Sequence, residues 1–280
     1  MKKKMAALFM AGTLTAALMA GSVVNASETE QDLEEILEQA ASDGEGLLAE
    51  ILEEGTITIA MEGDWAPWSY HDTETDEIIG YDADVARAIA EKLGVEAEIV
   101  EAPWESLFAG LDSGRYDLVI NGVEVTDERS EKYDFSDPYA YIHTALIVRS
   151  DNEEIQSFED LEGKSTVNSL GSTYMELAES YGATATGVST LAETLLQVIQ
   201  GRADATLNAD VSFYDYMNEQ PDAELKIAAL TEEASLVSIP MRKGSETETL
   251  LEAVNAALEE LREEGTLTEL SEQYFGSDIS

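Results

Sequence analysis

The chain has 280 residues, with 59 acidic and 15 basic side chains, a formal charge of −44, two histidines and no cysteine. That charge repels phosphate backbones and argues against a nucleic-acid partner. The absence of cysteine excludes disulfides, thiolate nucleophiles and thiolate metal sites. With 44% hydrophobic residues there is material for real cores, so the acidity belongs to a soluble, folded surface, and a monomer is expected.

Residues 1–26 read as an export signal. Lys2-Lys3-Lys4 is a basic start, Met5 to Ala20 is apolar and small, and Val24-Asn25-Ala26 offers small residues for cleavage. The run is short for a membrane anchor. Ala20-Gly21-Ser22 has the form of a lipoprotein cleavage box, but serine stands where the lipidated cysteine would be. An exported protein, periplasmic or at the cell surface, is expected. Residues 27–46 are acidic with a weak helical stripe (Leu33, Ile36, Leu37) and read as a tether or helical leader.

From Leu47 onward, helix and strand signals alternate. Thr56 to Met61 is a strand, and Asp82 is placed to cap a helix with Val85, Ala86, Ile89 and Leu93 on its apolar face. Val95 to Val100, the apolar Asp117 to Asn121, and Tyr141 to Val148 are further strands. Thr190 and Glu193 form a capping box ahead of a helix, as do Ser245 and Glu248. Gly201-Arg-Ala-Asp204 echoes Gly114-Arg-Tyr-Asp117, which suggests two α/β lobes of similar build with largely parallel sheets. The chain would divide into lobe 1 at 47–145 and 238–280 and lobe 2 at 146–237, joined by two crossings.

Open α/β sheets bind ligands at the carboxyl ends of their strands. Those ends carry Glu62, the three tryptophans (Trp65, Trp68, Trp104), Asn121, Glu124, Arg129, Gly171-Ser-Thr173 and Asp210. A lone tryptophan usually belongs to a core, but three in one topological place argue for an aromatic pocket. Arg129 could be a surface salt bridge in so acidic a chain. Alternatively, it grips an anion together with the hydroxyls and helix N-terminus at Ser172 and Thr173. Glu62 and Asp210 could receive an ammonium group. His71 and His143 have no second ligand at metal spacing, and neither a metal nor another cofactor is expected.

Several motifs in order carry a resemblance: Trp65-Ala-Pro-Trp68-Ser, Gly80-Tyr-Asp-Ala-Asp-Val85, Ala102-Pro-Trp104, Thr126-Asp-Glu-Arg129, Phe135-Ser-Asp-Pro-Tyr139, Gly171-Ser-Thr173, and Gly265-Thr-Leu through Tyr274-Phe-Gly-Ser-Asp-Ile279. Over about residues 47–280 the chain resembles the extracellular solute-binding proteins of polar amino-acid ABC transporters, nearest to the cystine and glutamine branch. The resemblance implies a type II periplasmic-binding-protein-like fold, with two lobes on two hinge strands closing over one amino acid for delivery to a permease. It implies that Arg129 clamps the α-carboxylate with Ser172 and Thr173, and that the backbone at Gly122 and Glu124 meets the head group. Trp65 and Trp104 would sandwich the side chain with Trp68 beside them, and Glu62 would reach its far end. One departure concerns the α-ammonium. The family's usual aspartate falls on Ala209, with Asp210 one residue later, and Glu124 stands where a small hydroxyl is commoner. An enzyme resembling cyclohexadienyl dehydratases on the same fold is the alternative, with Glu62, Glu124 and Asp210 as acid and base candidates.

Overall fold

The computed structural model describes residues 26–280, so the export-signal reading of 1–26 lies almost entirely outside it. The acidic leader is the 18-residue helix α1 (Ala26–Asp43). Its sparse stripe suffices for docking, because Leu33 and Ala40 are buried in the main core beside the long C-terminal helix α9 (Glu248–Glu263). α2 (Leu47–Glu54) follows and is stopped by Gly55 in the left-handed conformation.

The first lobe is built on three parallel strands, with Thr56–Met61 between Glu96–Glu101 and Leu118–Val119. α3 (Tyr81–Leu93) and α4 (Trp104–Asp112) make the crossovers, and their buried faces (Val85, Ile89, Leu93; Leu107, Leu111) cover the sheet. α5 (Asp127–Lys132) follows the third strand. Asp82 does not cap α3, as its spacing suggests. The helix begins at Tyr81 behind Gly80, and Asp82 is fully buried with a carboxyl oxygen accepting the Tyr139 hydroxyl at 2.8 Å.

The second lobe carries five strands in the spatial order Thr184–Val188, Ser165–Ser169, Ala205–Ala209, Thr144–Arg149, Leu225–Leu230. The first three are mutually parallel, while Thr144–Arg149 runs antiparallel to both neighbours, so this sheet is mixed. α6 (Thr173–Ser180), α7 (Leu191–Ile199) and α8 (Asp210–Glu219) connect its strands. The Thr190 cap of α7 forms, its hydroxyl accepting the Glu193 N–H at 3.2 Å. The Ser245 box does not, because α9 starts behind Thr247, whose hydroxyl donates to the Arg242 carbonyl instead.

The repeated Gly-Arg-x-Asp turn has one job in both lobes. Asp117 accepts the Thr58 N–H and hydroxyl, each at 2.7 Å, and donates its own N–H to the Thr58 carbonyl at 2.9 Å. Asp204 treats Ser165 identically, accepting N–H at 2.8 Å and hydroxyl at 2.7 Å and donating N–H at 2.9 Å. Each acid therefore locks the entering strand to its neighbour, which sets where the opposite, carboxyl ends of the sheets open.

The single strand expected over Tyr141 to Val148 is two. Ala140–Ile142 pairs antiparallel with Ser235–Val237, and after His143 the chain enters the five-stranded sheet as Thr144–Arg149. A second pair, Tyr133–Phe135 with Pro240–Arg242, stands beside it. The chain passes between the two sheets beside the first of these pairs, at His143 and again between Leu230 and Ser235. α9 and α10 (Thr266–Phe275) then pack back on α3.

Candidate functional site

The carboxyl ends of both sheets face one cleft of about 490 Å³, its open mouth included. From the first lobe it is lined by Glu62, Asp64, Trp65, Trp104, Asn121, Gly122, Glu124 and Arg129, and from the second by Ser169, Ser172, Thr173, Tyr174, Ser189, Thr190, Leu191 and Asn208. Nine of the eleven residues expected at the site are thus brought together. Trp68 and Asp210 are not in the lining.

Arg129 is the one cation in that lining. Thr126 caps α5 by accepting the Arg129 N–H at 3.1 Å, which fixes where the side chain leaves the helix. The guanidinium donates Nη1–H to the Glu124 carbonyl at 2.9 Å and lies 5.3 Å and 5.4 Å from the ring centres of Trp104 and Phe108. Among the described residues no carboxylate comes within 4 Å of it, so the salt-bridge reading fails. Burial lowers its pKa from the usual arginine value, with the Glu124 charge working against that. At any ordinary pH it is a positive charge held in place with no carboxylate in contact, the Glu124 charge acting on it from farther off.

Across the cleft, α6 begins at Thr173. The Ser172 hydroxyl is fully engaged as its cap, donating to the Ser169 carbonyl at 2.7 Å and accepting the Met175 N–H at 3.2 Å. What Ser172 contributes is therefore the orientation of a helix start, whose first N–H groups have no partner within the helix. The Thr173 hydroxyl reaches over to Glu124, donating to Oε1 at 3.1 Å. This bond joins the lobes.

The aromatic wall is layered. Trp65 lines the cleft and stacks on Trp68 at 5.2 Å with a 17° interplanar angle. Trp68 is fully buried, its indole N–H donating to the Ser212 hydroxyl at 2.9 Å in α8. It backs the wall and makes a second bond between lobes. Gly122 has φ +54° and lies so close to Trp65 that a Cβ would come within 2.6 Å of the ring, so glycine is demanded twice.

At the far end, buried Asn121 donates its amide to Glu62 Oε2 at 2.8 Å and accepts the Glu62 N–H at 2.7 Å. Burial raises the Glu62 pKa to about 7, against the Asn121 bond that lowers it. Asp64 is raised as well, by desolvation and by Glu101. Opposite these acids stand Ser189 and Thr190 at the start of α7.

Asp210 belongs to the hinge. α8 starts at this residue, and its carboxylate accepts the N–H groups of Val211 at 2.9 Å and His143 at 3.3 Å while its own N–H donates to the His143 carbonyl. His143 accordingly sits at the hinge and His71 pairs with Glu101 at 3.1 Å, neither of them in the cleft lining. Among the described residues no group of three or more metal-binding side chains forms. Residues missed from sequence include Ser169, Ser189 and Asn208. Each sits at or next to a strand's carboxyl end, the signal used for the others.

Comparison with known proteins agrees with this architecture. The family profile of bacterial extracellular solute-binding proteins, family 3, matches residues 57–277. The L-cystine-binding protein TcyA of Bacillus subtilis is 38% identical over the full length of both chains. An ancestral arginine-binding protein bound to glutamine superposes with a TM-score of 0.74 at 34% identity, covering 80% of this chain and 99% of that one. The L-cystine solute receptor of Neisseria gonorrhoeae, in its unliganded open conformation, is 40% identical over 84% of this chain and 99% of its own, yet its TM-score is 0.58. In this chain Thr173 and Trp68 bond across the cleft.

Proposed function

Because the chain belongs to the bacterial extracellular solute-binding proteins, family 3, we propose that it captures one free amino acid between its lobes and presents it to an ABC transporter permease. The observation that carries the site assignment is Arg129: a pre-oriented guanidinium without a carboxylate partner, facing the start of α6 in a cleft that closes. It takes the ligand α-carboxylate together with the first amides of α6, so both lobes hold one anion and binding favours closure. Trp65 and Trp104 flank the side chain. Glu62 and Asp64 receive a polar or cationic far end, with Ser189 and Thr190 opposite.

L-Cystine is the first candidate. It carries a zwitterion at each end, which suits acids and a helix start at the far end as well as the near one, and L-cystine is what TcyA is named for. The protein is exported, works as a monomer, and holds its ligand without turnover; each acid of the cleft has a binding or orienting role. No helix of the described residues is long and apolar enough to cross a membrane.

A thermal-shift screen of the twenty amino acids and cystine tests the reading. A ligand at 100 times its Kd stabilises the native state by about 2.7 kcal/mol, a rise of roughly 5–10 °C for a chain of this size. No shift with any amino acid would overturn it.

A further inference from the structure

We propose that Glu124 receives the α-ammonium group of the ligand, in place of an acid at Ala209. This rests on the amino-acid reading above and assigns the half of the head group that Arg129 does not explain.

Glu124 is 7% exposed and lines the cleft. Among the described residues no lysine, arginine or histidine nitrogen lies within 4 Å of its carboxylate. Its partners are neutral hydroxyls: Thr173 at 3.1 Å, and Tyr174, whose pKa is driven upward by its own burial and by this carboxylate. Two neutral donors orient the group, and the Arg129 charge acts on it only from beyond 4 Å. A buried carboxylate without a cation in contact gains from the one a ligand brings.

The position suits an ammonium on the same carbon as the clamped carboxylate. The carbonyl of Glu124 fixes the Arg129 guanidinium while its side chain reaches towards α6, so one residue borders both charges of a zwitterion. The backbone is firmly held, since Glu124 bridges Val237 and is flanked by Val125 N–H to Leu236 carbonyl at 2.9 Å and Ser238 N–H to Val123 carbonyl at 3.0 Å. The other acids lining the cleft, Glu62 and Asp64, stand together at its far end. Asp210 is turned to the His143 backbone, and Glu62 is held by Asn121. The amide oxygen of Asn208 accepts the N–H of Ala209.

The experiment is a cycle by calorimetry on the mature chain. The ligands are L-cystine and 3,3′-dithiodipropionate, which keeps both carboxylates and the disulfide and lacks both amino groups. If the screen selects another amino acid, that one and its deaminated acid replace the pair. Glu124→Gln should weaken L-cystine about 10- to 100-fold, the range for a charge-assisted hydrogen bond. It should leave dithiodipropionate within about threefold, because only the amino group senses the charge. Loss of the far ammonium cancels in the cycle. Asp210→Asn should leave both affinities unchanged. Glu124→Asp, with the charge kept, should preserve the preference for the amino-bearing ligand, and it carries the test if the glutamine variant does not fold. Equal weakening of both ligands, or no weakening of L-cystine, overturns the assignment while the amino-acid reading stands. A wild-type chain that binds no amino acid overturns both.

Discussion

Replacing Arg129 by alanine separates the clamp from the fold. The guanidinium is oriented by the Glu124 carbonyl at 2.9 Å and by the Trp104 and Phe108 rings, so it is held at the cleft before any ligand arrives. Removing one partner of a desolvated, hydrogen-bonded charge pair costs about 2–5 kcal/mol of binding, or roughly 30- to several-thousand-fold in Kd. The free protein loses less. One charged hydrogen bond and two half-exposed cation–π contacts at the low end of their ranges sum to about 2.5 kcal/mol, a fall of roughly 5–10 °C in Tm. Arg129→Lys keeps the charge and loses the fork, so its affinity should fall between wild type and alanine. Calorimetry with the amino acid selected by the screen reads the first effect and a thermal scan without ligand reads the second. An Arg129→Ala protein with Kd within threefold of wild type would refute the clamp.

Four further outcomes follow from the geometry. Gly122→Ala should lower both affinity and stability, the latter by at least 1–2 kcal/mol from the left-handed backbone alone, because its Cβ would press the Trp65 ring at 2.6 Å; equal affinity would show that the wall can yield. Trp68→Phe should leave the buried Ser212 hydroxyl unpaired in the closed state, weakening ligand about 5- to 100-fold, and adding Ser212→Ala should restore part of the loss in the same titration. Asp82 is buried and its pKa is raised to about 8, so the native state keeps a proton that the unfolded chain releases near pH 4. Stability should therefore fall as pH rises from about 4 to about 8, by up to roughly 1.4 kcal/mol per unit, and Asp82→Asn should flatten that slope in urea titrations. Leu33→Ala should cost about 2–3 kcal/mol if the leader helix is docked as its 3% exposure indicates, and nothing measurable if it is a free tether.

Much of the cleft was legible because strand ends are. Glycine after a helix, then an apolar run, then a polar turn locates the carboxyl edge of a sheet, and Trp65, Trp104, Arg129 and Thr173 all lie there. The echo of the two Gly-Arg-x-Asp turns proved to be a shared hydrogen-bond device, Asp117 on Thr58 and Asp204 on Ser165. What failed were features decided by tertiary burial. Asp82 has the local signal of a cap, but the neighbouring Tyr139 hydroxyl and the packing around α3 draw it into the core. An apolar run cannot say that it changes sheets halfway, as Tyr141 to Val148 does at His143. Asp210 was misjudged by a single residue. In a continued strand it would share a face with Asn208, but α8 begins at Asp210 and turns its side chain back to the hinge backbone.

That one-residue difference bears on how so acidic a molecule handles its ligand. A free amino acid is a zwitterion, so the field of a −44 chain neither attracts nor repels it at long range, and recognition falls to charges inside the cleft. Those groups are few: one guanidinium on the first lobe, the opening amides of α6 on the second, Glu124 held by Thr173 at one end, and at the other Asp64 with Glu62, which Asn121 holds and which titrates near 7. Three of them are each oriented by an uncharged group: a backbone carbonyl for Arg129, an amide for Glu62 and a hydroxyl for Glu124. Orienting a charge without neutralising it leaves its counterion to be supplied by the ligand, and the groups concerned come from both lobes. Closure is then favoured by the ligand that completes both, and a molecule bearing only one of the two head-group charges leaves a buried ion unmatched.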